Sequence, residues 1–185
     1  MKKYFIQYKP FLVFLLRFFA VYAVLAFLYH IYLNQYDKEL NEVDTFTQIV
    51  AEQTKKTIRF FGYDTETEFH KKESSIKLFV EKKYVSRIVE GCNALSVKIL
   101  FVAFVIAFKG RWRKMIVFIL LGLILIHILN IFRIAAISIA LYFYPGYEHL
   151  LHGVLFPLFI YGVVFALWVI WVTKFSLYAD KYPAK

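Results

Sequence analysis

Four long apolar runs dominate the sequence, and polar segments separate them. The runs cover residues 10–33, 92–108, 115–144 and 153–173. Each approaches or exceeds the ~20 residues that an α-helix needs to cross a bilayer. Because the runs are continuous and do not alternate, they predict helices and exclude an outer-membrane barrel. The sequence therefore predicts an all-α polytopic membrane protein with about four transmembrane helices.

The third run is longer than one crossing requires. It spans thirty residues and contains a single charge, Arg133. A guanidinium at that depth is costly in a membrane unless it has a partner or a function. We expect the run to bend near residues 130–133, so that residues 134–144 lie obliquely or in the outer interface.

Residues 34–91 form a polar segment in which acidic and basic side chains nearly balance. The apolar spacing over residues 36–60 predicts an amphipathic helix that lies on or near the membrane. Residues 76–80 and 84–89 are typical of two short strands joined by a charged turn. Since the segment has no positive excess, it is expected on the outer side. We predict an outward-facing extramembrane segment made of a helix and a short β-hairpin.

The composition excludes a soluble globular protein. Of the 185 residues, 61% are hydrophobic and 21% are aromatic, which is more apolar surface than one core of this size can bury. The net charge of +10 suggests nucleic-acid binding at first, but the basic residues gather at residues 1–9, 109–114 and 174–185. Such clusters mark the cytoplasmic side of a membrane protein. We therefore predict no nucleic-acid partner and place both termini in the cytoplasm.

Cys92 is the only cysteine, so an internal disulfide is excluded. It lies seventeen residues before the basic loop at residues 109–114, and Arg133 lies nineteen residues after that loop. At the rise of an α-helix these separations are ~26 Å and ~28 Å in the same direction. We expect the thiol and the guanidinium to reach the same depth in the outer leaflet.

Two histidines precede the fourth run at a matching distance. His152 lies twenty-two residues before Lys174, or ~33 Å of helix, and His149 lies slightly farther away. With a hydrocarbon thickness of ~30 Å, both imidazoles are expected at the depth of Cys92 and Arg133. A thiol, a guanidinium and an imidazole from three different spans are therefore expected at the same depth in the membrane.

These three groups suit nucleophilic acyl transfer. A guanidinium beside a thiol favours the reactive thiolate and can later stabilise an oxyanion. A histidine can take the thiol proton and return it to a leaving amine. Each residue also has a structural interpretation: a membrane cysteine usually behaves as a small apolar residue, and Arg133 could pair with Glu148, Glu90 or backbone carbonyls.

Other classes of function stay open on the residues alone. A non-enzymatic assembly partner or a transporter subunit would not need a reactive cysteine, although the one-sided placement of the polar residues disfavours a transporter. A haem or metal site could use His149 and His152. A serine membrane protease is excluded because no Gly-x-Ser-x-Gly sequence occurs.

Three local motifs resemble the exosortase/archaeosortase family of membrane-embedded cysteine transpeptidases. They are Glu-Gly-Cys-Asn-Ala-Leu at residues 90–95, Asn-Ile-Phe-Arg-Ile at residues 130–134, and His-Leu-Leu-His-Gly-Val-Leu-Phe at residues 149–156. The resemblance extends over residues 84–171 and includes the order and spacing of the motifs. The short chain, and Cys-Asn in place of Cys-Ser-Gly, are most similar to the compact exosortase F branch.

The resemblance implies an enzyme of the bacterial inner membrane whose active site faces the periplasm. Its substrates would be exported proteins that end in a sorting signal, made of a short motif, a transmembrane helix and a basic tail. The enzyme would cleave at the motif and pass the acyl group to a cell-surface acceptor, such as a glycan or a lipid. It would work within membrane lipid and would need no metal or other cofactor.

The resemblance also implies roles for individual residues. Cys92 would be the nucleophile, Arg133 the stabiliser and a histidine the acid/base. The family pattern of His, three residues and Gly favours His149 for this role, and His152 ranks second. Three further polar residues near the motifs are assigned to substrate binding: Asn93, Asn130 and Lys98.

One departure from the family pattern concerns a basic residue. Many relatives carry one four positions after the cysteine, where this chain has Ser96. Lys98 is the candidate substitute. The hairpin over residues 76–89 is expected to bind the extended recognition motif by strand addition.

The chain thus divides into four predicted parts. Residues 1–33 are the cytoplasmic N-terminus and first transmembrane helix, and residues 34–91 are the extracytoplasmic segment. Residues 92–173 form the transmembrane catalytic core, and residues 174–185 form a basic cytoplasmic tail. No small-residue cleavage site follows the first run, so we interpret that run as an uncleaved anchor.

Overall fold

The fold is mostly helical, with a small antiparallel sheet, in a computed structural model that describes residues 2–37 and 40–177. The side chains of residues 2–7, 152 and 156 lie outside the description. The helices are α1 (Lys2–Leu33), α2 (Thr45–Phe60), α3 (Leu95–Ala107), α4 (Trp112–Phe143), α5 (Glu148–Leu150) and α6 (Phe156–Ile170). The strands are β1 (Thr65–Phe69), β2 (Ser75–Val80) and β3 (Lys83–Val89). The predicted fold class, membrane helices plus a segment of helix and strands, is confirmed.

Three helical segments of the described chain are long and apolar enough to cross a membrane: Tyr8–Leu33, Trp112–Phe143 and Pro145–Phe175. The last of them contains α5, α6 and two π-helical turns. The predicted second span is shorter than expected, because α3 has only 13 residues. Such a helix measures about 20 Å, against a hydrocarbon thickness of about 30 Å. The four-span count is therefore reached only if α3 is included as a short span.

The short helix α3 is enclosed by its longer neighbours. It packs against α1, α4 and α6, and the Phe14 ring of α1 lies 5.6 Å from the Phe104 ring of α3. Phe101 is fully buried, and its ring lies against Gly122 of α4, where any side chain would collide with it. Close packing inside the bundle thus covers a helix that is too short to span alone.

The third predicted span differs from expectation in one respect. It does not break near residues 130–133 but stays α-helical over all 32 residues of α4. A helix of that length measures about 48 Å and exceeds the hydrocarbon by about 18 Å. Its second half packs against α2, β2 and β3, so protein contacts accommodate the excess length and no bend is required.

The amphipathic helix predicted over residues 36–60 is confirmed from Thr45 onward. It begins there because the Asp44 side chain accepts a hydrogen bond from Thr47 N at 2.9 Å, which caps the first turn. The buried face comprises Thr47, Val50, Ala51, Thr54 and Ile58. This face packs against α4 and the sheet, so α2 rests on protein.

The predicted hairpin is confirmed as β2 and β3, and a third strand joins it. The sheet order is β1-β2-β3 with antiparallel pairing throughout. Glu81 and Lys82 form the tight turn with positive φ angles of 50° and 63°, as two-residue hairpin turns require. β1 was not predicted from the sequence. We call α2 and the three strands together the α2–sheet layer (residues 45–89).

The described parts of the basic segments, within residues 2–9, 109–114 and 174–177, gather at the end of the bundle opposite the α2–sheet layer. Trp171 Nε1 donates to Phe108 O at 2.9 Å, and Leu177 N donates to Lys109 O at 3.0 Å. The last helix therefore ends beside the basic loop that follows α3. The beginning of α1 lies at the same end, because Phe14 contacts Phe108. This grouping is what the positive-inside rule requires of one membrane face.

Candidate active site

Cys92 lies in a tight turn between β3 and α3. The depth of Cys92 is predicted on the assumption that it belongs to the helix of the second run. The structure instead places it in a 3-10 turn, Glu90–Cys92, before α3 begins at Leu95. The chain then reverses through Ala94, which is buried and has a left-handed φ of 61°. A non-glycine residue in that conformation costs roughly 1–2 kcal/mol, so surrounding contacts must hold it. We call residues 90–94 the cysteine turn.

Two buried amides hold the cysteine turn in place. Asn130 of α4 donates from Nδ2 to Cys92 O at 2.9 Å. Asn93 donates from Nδ2 to Thr47 Oγ1 at 3.0 Å, while its Oδ1 accepts from Leu95 N at 2.8 Å. The turn is therefore tied to α4 on one side and to α2 on the other. The substrate contact predicted for both asparagines stays a prediction, since the bonds they form here are internal.

Arg133 faces the same turn from α4. It follows Asn130 by three residues, which places both side chains on one face of the helix. Arg133 is only 7% exposed, and its guanidinium is close enough to Cys92 for a Coulombic interaction. A buried cation of this kind is tolerated when a partner compensates for lost hydration. Arg133 therefore lies on the side of α4 that contacts the cysteine turn, and its role beside the thiol stays a prediction.

The outer end of α1 also contributes to the surroundings of Cys92. Tyr29 donates a hydrogen bond from its hydroxyl to a carboxylate oxygen of Glu90. Tyr32 Oη lies 3.3 Å from Asp44 Oδ1 and accepts from Phe46 N at 3.1 Å. Sequence reasoning gave neither tyrosine a role. The only sequence feature that points to them is their position at the end of the first apolar run, where aromatic and polar residues are mixed.

Cys92 opens into a cleft of about 500 Å³. The walls are formed by residues 83–87, Val89, Leu141, Pro145 and Glu148, together with Cys92 itself. One wall is therefore β3, and the other is the end of α4 with the beginning of the last helical segment. The half-buried thiol is thus accessible from an open groove that runs along a strand.

The two candidate histidines lie at the beginning of the last helical segment. His149 is exposed, and its ring lies beside Gly153, about 3.9 Å from where a side-chain carbon would be. Glu148, and not His149, lines the cleft beside Cys92. The side chain of His152 lies outside the described residues. The structure therefore brings Cys92, Arg133 and both asparagines together and places His149 one residue from the cleft wall.

Lys98 is buried on the other side of the cysteine turn. Its Nζ lies 3.1 Å from His127 Nδ1 and 4.5 Å from the centre of the Phe46 ring. His127 Nε2 lies 2.7 Å from Gln53 Oε1. Because an ammonium can only donate, Nδ1 accepts and Nε2 carries the proton toward Gln53. These contacts connect α2, α3 and α4, and the substrate contact predicted for Lys98 stays a prediction.

Comparison with known proteins supports the resemblance seen in the motifs. A family model described as transmembrane exosortase matches residues 10–173. The match thus includes the first span and the polar segment, where the motifs alone gave little resemblance. No curated protein and no solved structure matches the chain. The family model does not resolve the exosortase F branch, which stays a prediction. Since the match covers most of the chain, the protein belongs to the transmembrane exosortase family.

Proposed function

We propose that this protein is a membrane-embedded cysteine protease and transpeptidase that cleaves the C-terminal sorting signals of exported proteins. The observation that carries the proposal is the cysteine turn: Cys92 lines a cleft, Asn130 holds its carbonyl, and Arg133 is buried one helical turn after Asn130 on the same face of α4. A cation near the cysteine turn would favour the reactive thiolate form of Cys92. Membership of the exosortase family supports the same reaction.

The proposed reaction has two acyl-transfer steps. The Cys92 thiolate attacks the scissile carbonyl, a carbon–sulfur bond forms, and Arg133 stabilises the negative oxygen of the tetrahedral intermediate. The carbon–nitrogen bond then breaks as a histidine protonates the leaving amine. An acceptor nucleophile from the cell surface, a glycan or a lipid, then attacks the thioester and gives its proton to the histidine, and the carbon–sulfur bond breaks as the thiolate leaves. His149 is the first candidate for the proton transfer, and His152 is the second.

The proposal includes a location in the cell. We place the protein in the bacterial inner membrane with the basic end in the cytoplasm and the cysteine turn facing the periplasm. In that orientation the nucleophile meets an exported protein close to the membrane surface while the substrate's own helix is still anchored. Membrane lipid surrounds the bundle, and no cofactor is required for thiol chemistry.

The proposal is tested by substitution of the thiol. A reporter that ends in a short motif, an apolar helix and a basic tail is co-expressed with the protein, and its processing is followed by mass shift. We expect Cys92→Ala to abolish processing with normal membrane levels of the enzyme. Ser96→Ala is the matched control, because Ser96 is exposed and lies just after the turn. Full processing by Cys92→Ala would favour a non-enzymatic assembly partner or transporter subunit.

Trapping of the intermediate provides a direct chemical test. Mass spectrometry of the purified enzyme and reporter should detect a thioester between Cys92 and the N-terminal part of the reporter. The histidine assignment is tested in parallel by His149→Gln and His152→Gln. We expect the thioester to fail to form in one of these two variants, and the variant that retains it identifies the uninvolved histidine. Retention in both would contradict the acid/base role.

A further inference from the structure

The sheet has an edge that no described residue occupies. In the order β1-β2-β3, β3 pairs with β2 from Ser75↔Val89 to Val80↔Lys83, with one bulge at Val85. Its other side forms no backbone hydrogen bond within the described ranges 2–37 and 40–177. An edge strand of this kind presents N–H and C=O groups that can pair with another extended chain.

The cleft beside Cys92 lies along this edge. Residues 83–87 of β3 line the cleft, and they include Val85, the bulge residue that the pairing with β2 skips. The described residues that line the cleft include none of β2, so the cleft lies on the side of β3 away from β2. The cleft therefore runs along the backbone edge of β3.

The chemistry of the walls favours a peptide as the occupant. The cleft contains charged and hydroxyl side chains on both sides, including Lys83, Ser86 and Glu148. A lipid acyl chain would gain little from such walls, whereas an extended peptide would satisfy the strand's free hydrogen-bonding groups. One end of the cleft reaches Cys92, so a peptide bound along β3 would bring its backbone to the thiol.

We propose that the outer edge of β3 binds the recognition segment of the substrate as an added parallel strand; this rests on the proposed function. The strand runs toward Cys92, and the chain then enters the bundle through α3. A substrate with its anchoring helix C-terminal to the scissile bond also runs toward the membrane at this point. The residues that precede the scissile bond therefore lie beside β3 in the same direction. Main-chain bonds supply affinity, and alternate substrate side chains contact the cleft walls.

Photo-crosslinking tests the binding surface without turnover. The photoreactive residue p-benzoylphenylalanine is placed at Tyr84 of β3 or, as the matched control, at Phe69 of β1, the other edge strand. Both are exposed aromatic residues, at 50% and 63%. Each is made in the full-length Cys92→Ala chain and irradiated in membranes with the sorting-signal reporter. We expect a several-fold higher yield of reporter adduct from Tyr84. Equal yields, a higher yield from Phe69, or a lipid adduct at Tyr84 would overturn the proposal.

The direction of binding is read from the positions of the adducts. A second probe at Arg87, three residues after Tyr84, should crosslink the reporter about three residues nearer the scissile bond if the strands are parallel. The reverse order contradicts parallel pairing, and a single shared position contradicts an extended segment.

Processing by the unmodified protein separates this inference from the proposed function. Processing without a Tyr84 adduct overturns only the binding surface. A strong Tyr84 adduct without processing supports the surface and counts against the reaction.

Discussion

The two halves of α4 have the same apolar character in the sequence but different surroundings in the structure. In the first half, residues 112–129, a row of large side chains is exposed outside the bundle: Ile116, Val117, Leu120, Leu121, Ile124, Leu125 and Ile128. In the second half, residues 130–143, most side chains are buried by the α2–sheet layer and the cysteine turn: Asn130, Ile131, Arg133, Ile134, Ala135, Ile137, Ser138 and Leu141. Lipid is expected along the exposed face of the first half, whereas protein covers most of the second half.

Beyond its basic first turn, α4 carries its polar groups where protein contacts the helix, and these groups include His127 at the end of the first half, beside Lys98 and Gln53. An unsatisfied polar group in hydrocarbon is costly, so such groups lie where protein can provide partners. In the second half, Asn130 binds the carbonyl of Cys92 and Ser138 binds Ser86. Arg133 is buried one turn after Asn130, on the side of α4 that faces the cysteine turn. The candidate chemistry is therefore located where the helix leaves lipid and enters protein.

Arg133→Gln should have the largest effect on activity among changes in α4. The substitution removes the cation beside Cys92, and loss of one stabilising donor for an oxyanion typically lowers rates about 10²–10³-fold. Arg133→Lys should retain part of the rate, because it keeps the charge but not the planar guanidinium. Initial rates of reporter processing measure both. A rate within a factor of two of the unmodified enzyme would remove Arg133 from the mechanism.

Asn130→Ala should reduce turnover by a smaller amount. The amide positions the backbone of Cys92, and one such hydrogen bond is worth about 1 kcal/mol, or roughly 3–10-fold in rate. We expect kcat to fall more than KM rises, since the amide does not need to touch substrate. Ser138→Ala is the matched control, because it also removes a buried hydrogen bond of α4, 3.1 Å to Ser86. Equal losses of kcat in both variants would indicate a general packing effect.

Ala135→Leu should act on stability. Ala135 is fully buried against Ile58, Leu78 and Val80 of the α2–sheet layer. Overpacking of such a contact typically costs about 1–3 kcal/mol, and each kcal/mol lowers Tm by about 2–4 °C in a chain of this size. Thermal unfolding in detergent, followed by loss of the monodisperse chromatographic peak, measures the shift. An unchanged Tm would show that the layer is not firmly packed on α4.

Leu121→Ala should have the smallest effect of the four. This side chain in the first half of α4 is 62% exposed, so truncation removes few protein contacts. Such surface changes are usually within about 0.5 kcal/mol. The same thermal assay compares it with Ala135→Leu. A loss as large as that of Ala135→Leu would mean that a further protein surface, and not lipid, covers the first half.

Several elements could be predicted because their signals are local. A continuous apolar run predicts a helix without knowledge of its neighbours, and the charged turn between β2 and β3 predicts the hairpin in the same way. β1 was missed because Thr-Glu-Thr-Glu-Phe has little apolar character; it forms a strand through its pairing with β2. The beginning of α2 was misplaced because the Asp44 cap outweighs the apolar spacing of residues 36–44.

The sequence by itself determined the class of protein and the polar segment between the first two runs, and it predicted a shared level for Cys92, Arg133 and the histidines. Hydrophobicity and charge along the chain are enough for these conclusions, because the bilayer sorts residues by depth. The tertiary structure alone decided which residues meet at that depth. Asn130 and Cys92 are 38 positions apart and Tyr29 and Glu90 are 61 apart, so no local pattern encodes their contacts. Those contacts depend on how the helices are rotated and how the α2–sheet layer sits on α4, which only packing determines.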